Sequence, residues 1–345
     1  MPTAEMAAMV SHAEEFQPRR FLTNGHLQTI AGNYLSRVDD LPASDPQLIE
    51  VSPATMNQIA SQVLCHCHWQ PEKVRAERPT AIIVHGLEGS SDSQYVVGNS
   101  NKLWRAGCNI VRMNMRNCGG TEALSPTLYH SGLSSDVLAV MNFLVAKQGL
   151  QSVSLIGYSM GGNLVLKLAG ELGTGGPPEL HSVIGVSPVV DLGPSADALH
   201  LPQNRLYEMK FLRALLRRFR RKAMLFPRAY DANRATRIRS LRDFDERINA
   251  FYSGFAGADD YYHRAAAARV LDRIAVPTLI LHALDDPFIR LTTESRDKSN
   301  ANPHITLLET RHGGHCAFLA QPDTSRGYDG YWAEHTLLHF LLDHV

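Results

Sequence analysis

The chain has 345 residues, of which 44% are hydrophobic and 20% are charged, and its formal net charge is zero. A chain of this length and composition can bury a large core, either as one enlarged α/β domain or as two domains. The zero net charge argues against a nucleic-acid partner for the molecule as a whole.

The cysteines and the N-terminus both favour the cytoplasm. Five cysteines are an odd number, and their spacing lacks a disulfide framework, which favours a reducing compartment. The first 20 residues contain three glutamates and no apolar segment typical of a signal peptide. No apolar run approaches the length of a bilayer span. We therefore expect a cytoplasmic protein.

Short apolar runs alternate with helical patterns along most of the chain, which indicates βαβ units. The strand candidates lie at 62–69, 80–85, 109–114, 153–157, 182–187, 278–283 and 304–309. The helix candidates lie at 93–105, 133–148, 161–172, 292–300 and 331–344. We expect an α/β fold, with a mostly parallel sheet of about eight strands and helices on both faces.

The first motif with chemical meaning directly follows the second strand candidate and reads His85-Gly86-Leu87-Glu88-Gly89. The main-chain N–H of Leu87 is a candidate donor to an oxyanion, and Gly86 would let the backbone approach a substrate. His85-Gly86 alone is weak evidence, but its place at a strand end, ahead of the next motif, strengthens it.

The most informative motif is Gly157-Tyr158-Ser159-Met160-Gly161, which lies directly between an apolar strand pattern and an apolar helix pattern. A serine on such a sharp turn projects its hydroxyl above the sheet, and small flanking residues let the chain turn without clashes. The N–H of Met160 and the dipole of the following helix face the same point, where an oxyanion would form. The motif predicts a nucleophilic serine and a serine hydrolase of the α/β-hydrolase type.

The alternation of strands and helices stops after residue 188 and resumes near residue 276. The residues between are mostly helical in pattern, and such hydrolases usually place a cap over the site at this point of the chain. We expect a helical lid at 189–270 and a hydrolase core at 1–188 and 271–345, with an N-terminal arm at 1–50.

The lid also carries an uneven charge. Residues 205–247 contain fourteen Lys and Arg but only five Asp and Glu, a net charge of +9. Within them, the pattern at 211–222 sets apolar residues against arginines. A basic amphipathic helix of this kind can lie on an anionic membrane surface. It can equally pack its apolar side on the core with its arginines in water, or steer anionic substrates.

The acid and the base of a catalytic triad are expected after the serine, in that order. Asp285 and Asp286 follow the strand candidate at 278–283, and we favour Asp286, which directly precedes a proline, over Asp285. An ionised carboxylate there would hold the histidine tautomer and stabilise the imidazolium. His315, at the end of a glycine-rich turn past the last strand, is favoured over His312 as the base.

The sequence indicates no metal site. On a strand, the alternating run Cys65-His66-Cys67-His68 points both thiols one way and both imidazoles the other, so the four cannot surround one zinc ion. The two histidines of the C-terminal loop have two glycines between them, which disfavours a helical chelate.

Several segments together resemble the YheT-like branch of the α/β-hydrolase superfamily, also called the AB hydrolase superfamily type 4 family. They are RFLTNGHLQTI at 20–30, HGLEGS at 85–90, RNCGGT at 116–121, GYSMGGN at 157–163, and DDPF at 285–288 followed by GGH at 313–315. The resemblance spans residues 20 to about 320. Its first motif is not shared by α/β-hydrolases in general, and we expect His26 to hold the N-terminal arm by packing or hydrogen bonding. Asn117 departs from the small residue usual at its position.

The resemblance implies a charge-relay system of Ser159, Asp286 and His315, with carboxylesterase or acylglycerol-lipase-like activity. We expect a serine carboxylesterase that hydrolyses short-chain carboxylic esters or monoacylglycerol-like lipids through an acyl-enzyme, without a cofactor. Two alternatives stay open. One is an acyltransferase that uses the same acyl-enzyme, and the other is a non-catalytic protein that binds lipid or membrane.

Overall fold

The computed structural model describes residues 16–56 and 58–345, whose strands form one eight-stranded sheet. The strands are β1 (Asp45–Ser52), β2 (Ser61–His68), β3 (Thr80–Val84), β4 (Asn109–Met113), β5 (Val153–Tyr158), β6 (Leu180–Val186), β7 (Thr278–Ala283) and β8 (Ile305–Thr310). Their order across the sheet is β1-β2-β4-β3-β5-β6-β7-β8. Only the β1–β2 and β2–β4 pairs are antiparallel, which confirms the predicted mostly parallel sheet.

The central strands β3, β4 and β5 are buried along their whole length, as expected for parallel strands covered on both faces. The sequence reading did not find β1, most of which lies in the stretch suggested as an N-terminal arm. β1 is an edge strand with mostly accessible residues, and it contains Pro46, which an edge strand tolerates. Residues 1–15, the start of that arm and most of the segment in which a signal peptide was sought, lie outside the described residues.

In the described ranges, nine α-helices have eight or more residues: α1 (Gly25–Tyr34), α2 (Gln94–Arg105), α3 (Ser134–Gln148), α4 (Met160–Leu172), α5 (Leu192–Leu199), α6 (Arg205–Leu225), α7 (Ala258–Ala265), α8 (Thr293–Ala301) and α9 (Trp332–Leu342). Shorter segments are the α-helical Glu72–Arg75, Leu241–Phe244 and Phe251–Ser253 and the π-helical turn Asp245–Ala250, besides several 3₁₀ turns. None of the helices in the described part of the chain is both long and apolar enough to cross a bilayer.

Helices cover both faces of the sheet because alternate strand residues point to opposite sides. Ile82 and Leu155 share one apolar cluster with residues of α3 and α4, whereas Ile83 and Ile156 share another with residues of α2 and α9. The predicted three-layer α/β arrangement is therefore confirmed.

The chain between β6 and β7 forms α5, α6, α7 and the shorter helical segments between Leu241 and Ser253; we call residues 189–270 the insertion. Along α6, Leu212, Leu215 and Phe219 are buried in the cluster that includes β3 and β5. Arg213 and Arg217, on the other side of the helix, are exposed. The apolar side of α6 therefore faces the protein, and membrane contact by its arginines stays a prediction.

Candidate active site

Ser159 lies on the turn between β5 and α4. Its φ of 54° and ψ of −114° place a non-glycine residue in a strained backbone region. Hydrogen bonds on both sides hold the turn: Ser159 N–H donates to the carbonyl of Val186 at 2.9 Å, and the Ser159 carbonyl accepts from Asn163 N–H at 3.1 Å. The surrounding structure thus fixes a sharp strand-to-helix turn with the serine at its apex.

The two glycines that flank this turn are required by the close approach of β5, α4 and β3. A Cβ on Gly157 would lie 2.2 Å from the carbonyl oxygen of Gly161, and one on Gly161 would lie 2.3 Å from that of Val84. Real Cβ atoms do not come this close to a carbonyl oxygen. Any side chain at either position would displace the turn, and with it Ser159.

Asp286 and His315 form a hydrogen-bonded pair at the end of the sheet. His315 Nδ1 lies 2.8 Å from Asp286 Oδ2, and the Asp286 side chain is fully buried. The other oxygen, Oδ1, accepts the main-chain N–H groups of Phe288 at 3.0 Å and Ile289 at 2.9 Å. Each carboxylate oxygen therefore has partners, and the imidazole is held by a charge-assisted hydrogen bond.

This pairing shifts the ionisation of both groups. Burial opposes ionisation of Asp286, but the charge and hydrogen bond of His315 outweigh it and keep the pKa of the carboxyl below its ordinary value. Burial also disfavours the imidazolium of His315. The neighbouring Cys316 and Asp286 outweigh that effect, so the pKa of His315 lies above its ordinary value.

The alternative acid, Asp285, has different partners. Its Oδ1 accepts the main-chain N–H of Gly314 at 2.9 Å, and its Oδ2 lies 3.5 Å from His312 Nδ1. Asp285 therefore contacts the backbone of the loop that carries His315, and His312 lies beside it. Of the two candidate acids, the structure brings Asp286 to the His315 imidazole.

A residue that the sequence reading did not consider, Cys316, lies next to the second ring nitrogen of His315. Its Sγ is 3.5 Å from His315 Nε2. Ser159 and His315 line the same cavity, but within the described residues their side chains do not hydrogen-bond to each other. Catalytic hydrogen bonds are often long in the absence of substrate and tighten when it binds.

His85 shapes the loop that carries Leu87. The His85 ring is fully buried; its Nδ1 lies 2.8 Å from the carbonyl oxygen of Gly86, and Met115 N–H donates to its Nε2 at 3.2 Å. Nε2 therefore accepts and Nδ1 donates, and burial lowers the pKa of His85 to about 4, which keeps the ring neutral. In a trans peptide the N–H points opposite to the C=O. Because the His85 ring holds the Gly86 carbonyl, the N–H of Leu87 points away from that ring.

The two candidate oxyanion donors are available. In the described parts of the chain, neither Leu87 N–H nor Met160 N–H donates to a protein acceptor. Met160 is the first residue of α4, where the helix dipole favours negative charge. Gly86 lies against Ser159, since a Cβ on it would be 3.1 Å from the Ser159 Cβ. The loop and the turn therefore meet at the serine.

Ser159 contributes to the lining of two cavities formed by the described residues. The first is apolar and lies beneath the insertion, lined among others by Leu192, Leu215, Phe288 and Ile289. The second, of about 730 Å³, is more polar and is bordered by α1, the Glu88 loop, α6 and His315. Among the described residues, no cluster of His, Cys, Asp and Glu side chains could hold a metal ion.

A family model described as alpha/beta hydrolase fold matches residues 79–322, which is more than half of the chain. The chain belongs to the α/β-hydrolase family. It is also 30% identical over 315 residues to "Putative esterase YheT" of Escherichia coli (strain K12), covering 90% of this chain and 88% of that protein. This similarity confirms the YheT-like branch suggested by the sequence motifs.

Two further comparisons give weaker likenesses. The chain is 29% identical over 243 residues to "Phospholipase ABHD3" of Mus musculus, covering 70% of this chain but only 59% of that protein. A solved 2,6-dihydroxy-pseudo-oxynicotine hydrolase superposes with a TM-score of 0.55 at 18% identity, covering 92% of this chain and 71% of that one. At this identity the structural likeness shows the fold alone.

The structure of this α/β-hydrolase also reveals a partly buried charged cluster that the sequence reading missed. Arg218 of α6 donates to Glu88 from Nε at 2.9 Å and from Nη2 at 3.2 Å, and Tyr129 Oη donates to Glu88 Oε1 at 2.5 Å. Lys222 is fully buried beside it and donates to Asn117 Oδ1; burial lowers the pKa of Lys222 to about 7. The basic charge of α6 is thus partly used to fix the insertion against the loop next to Leu87.

Proposed function

We propose that this protein is a serine carboxylesterase that hydrolyses short-chain esters or monoacylglycerol-like lipids through an acyl-enzyme. The observation that carries the proposal is the Asp286–His315 pair, because its imidazole borders the same cavity as the serine of a strained strand-to-helix turn. The names of its relatives, an esterase and a phospholipase, support a hydrolase of ester or lipid substrates.

In the proposed reaction, Ser159 Oγ attacks the ester carbonyl carbon while His315 Nε2 takes its proton. Asp286 stabilises the resulting imidazolium. When the tetrahedral intermediate collapses, the bond to the alcohol oxygen breaks and that oxygen receives the proton from His315. Water then attacks the acyl-enzyme with the same proton transfers, which releases the acid and restores the serine.

The oxyanion of each tetrahedral intermediate would accept the N–H groups of Leu87 and Met160. Each such donor typically lowers the barrier by about 3–4 kcal/mol. His85 supports this role indirectly, because its bond to the Gly86 carbonyl fixes the direction of the Leu87 N–H. The charge that develops in the transition state would thus meet donors that are already in place.

The two cavities suggest how a substrate would lie. An acyl chain would enter the apolar cavity beneath Leu215 and Phe288, and the alcohol portion would lie in the larger, more polar cavity. The insertion covers the apolar cavity and would act as the lid. Such a division suits an ester with one apolar and one polar end.

Hydrolysis of 4-nitrophenyl esters of increasing acyl length tests this proposal. We expect turnover by the wild-type protein and none above background by Ser159→Ala, with Ser154→Ala, at the far end of the same strand, as the matched control. Equal turnover by Ser159→Ala and wild type would contradict the proposed nucleophile. Glycerol and short alcohols added as acceptors separate hydrolysis from acyl transfer, which would give a transferred ester instead of free acid.

A further inference from the structure

We propose that α1, which carries the N-terminal signature, is a positioning element of the active site, and that the Thr29 hydroxyl fixes the main chain at His315. This inference rests on the proposed function of His315 as the catalytic base. It gives a positioning role to a signature for which the sequence alone suggested only that His26 holds the N-terminal arm by packing or hydrogen bonding.

The central contact is a single hydroxyl with two defined bonds. Thr29 Oγ1 donates to the carbonyl oxygen of Gly25 at 2.7 Å and accepts the main-chain N–H of His315 at 2.8 Å. Because its only hydrogen is used on Gly25, the lone pairs of Thr29 are free to face His315. The hydroxyl therefore connects α1 directly to the backbone of the proposed base.

Thr29 is one of three side chains that hold successive N–H groups of this loop. Gly314 N–H donates to Asp285 Oδ1 at 2.9 Å, and Cys316 N–H donates to Ser187 Oγ at 3.0 Å. Thr29 Oγ1 accepts the N–H of His315, the residue between these two. The acceptors come from three separate segments of the chain, so the backbone that carries the imidazole is fixed from three sides.

Gln28 holds the far end of the same loop. Its side chain is fully buried; Nε2 donates to the carbonyl of Leu319 at 3.0 Å, and Oε1 accepts the N–H of Leu319 at 2.8 Å. Nε2 also donates to the carbonyl of Leu22 at 2.8 Å. One buried amide thus pairs with both backbone groups of a single loop residue, as a neighbouring strand would.

Two glycines of α1 let the helix lie directly on this region. A Cβ on Gly25 would be 1.9 Å from the carbonyl oxygen of Asp285, and one on Gly32 would be 2.5 Å from the Cβ of Ala317. Positions 25, 28, 29 and 32 follow the i, i+3, i+4, i+7 spacing of one helix face. The signature therefore encodes a face that fits the loop rather than a general apolar stripe.

Asn24 and His26 fix the start and the outer side of this helix. Asn24 Oδ1 accepts the N–H groups of His26 at 2.9 Å and Leu27 at 3.3 Å, which caps the first turn. The His26 ring stacks on Tyr207 of the insertion, with centroids 5.8 Å apart, and its Nδ1 lies 3.3 Å from the Tyr207 hydroxyl. The helix is therefore held against both the loop and α6.

Four variants and a matched control test the Thr29 contact. Thr29→Val keeps the shape but removes the acceptor, and Thr29→Ser keeps the hydroxyl. Thr336→Val is the control, because Thr336 makes the same bond to the carbonyl four residues earlier, at 3.0 Å, but on α9. If Thr29→Val does not fold, Thr29→Ala and Gln28→Ala are measured in its place.

We expect Thr29→Val to lower kcat for 4-nitrophenyl acetate at least tenfold with KM changed less than twofold, since small misplacements of reacting groups are costly. The kcat of Thr29→Ser should stay within threefold of the wild-type value, and the kcat of Thr336→Val should equal the wild-type value. A loss in KM alone, or equal losses in Thr29→Ser and Thr29→Val, would overturn the proposal in favour of substrate contact or simple packing.

NMR titration of His315 tests the positioning without turnover and so separates it from the proposed function. A loosened loop weakens the contact with Asp286, so Thr29→Val should lower the pKa of His315 and Thr336→Val should leave it unchanged. The other titratable groups nearby, Cys316, His282 on β7 and Tyr207 on α6, are the same in both variants. An unchanged His315 pKa in Thr29→Val would refute the inference even if wild type shows no esterase activity.

Discussion

Replacing Asp286 with asparagine should nearly abolish activity while keeping the fold. The amide oxygen of Asn can still accept the N–H groups of Phe288 and Ile289, which lie 3.0 and 2.9 Å from Asp286 Oδ1 in the wild-type protein. Its NH₂ group would then lie where Asp286 Oδ2 stands, 2.8 Å from His315 Nδ1, so two donors would face each other. The imidazole can avoid this only by moving its proton to Nε2, the atom that must accept the serine proton.

The expected loss of kcat follows from this tautomer of His315, in which Nε2 carries the proton and cannot accept another from Ser159. In the Ser-His-Asp template the same change lowers kcat by about 10⁴, which corresponds to about 5.4 kcal/mol of transition-state stabilisation. Steady-state hydrolysis of 4-nitrophenyl acetate measures it, with the thermal midpoint as a check on folding. A variant that retains more than about a tenth of wild-type kcat would refute the assignment of Asp286.

The neighbouring aspartate provides a matched control. Asp285 accepts the N–H of Gly314, and the amide oxygen of asparagine can accept the same bond. Asp285→Asn should therefore stay within about threefold of wild type, a difference of less than 1 kcal/mol. If Asp285→Asn lost as much activity as Asp286→Asn, the assignment of Asp286 alone as the triad acid would be contradicted.

Three further predictions concern the oxyanion loop, the base and the insertion. His85→Ala should lower kcat by about 10²-fold in steady-state assays, because the backbone that aims the oxyanion donor loses its fixed partner. In pH–rate profiles, kcat/KM should rise with pH and reach half its maximum above pH 6.5, because His315 must be neutral to accept a proton and its pKa is raised. Arg218→Met should destabilise the protein by about 2–3 kcal/mol in denaturant titrations, since it leaves Glu88 buried without its cation. The exposed Arg217→Met should change stability by less than about 0.5 kcal/mol.

The sequence predicted the sheet well because its strands carry a strong local signal. Buried runs such as β3 and β5 are mostly apolar segments, and each is followed by a turn of recognisable chemistry. β1 lacks that signal because it is an exposed edge strand containing Pro46. α1 was not among the predicted helices; its Gly25 and Gly32 lower its intrinsic helix propensity, but in the fold they allow close packing.

Local motifs at strand ends were enough to propose Ser159 and His315. They favoured Asp286 over Asp285 but left Asp285 open, because which adjacent aspartate reaches the imidazole depends on the geometry of the turn after β7. The supporting contacts carry no local signal at all. Thr29 lies 286 residues from His315, and Arg218 lies 130 residues from Glu88. Such pairs become visible only when the fold brings the segments together.

Labelling with a fluorophosphonate probe, followed by peptide mass spectrometry, tests the central claim most directly. Such a probe reacts with a serine only where a base activates it and donors stabilise the oxyanion. We predict one adduct, on the peptide that contains Ser159, and none in Ser159→Ala. Folded wild-type protein that remains unlabelled, or that is labelled at another serine, would contradict it.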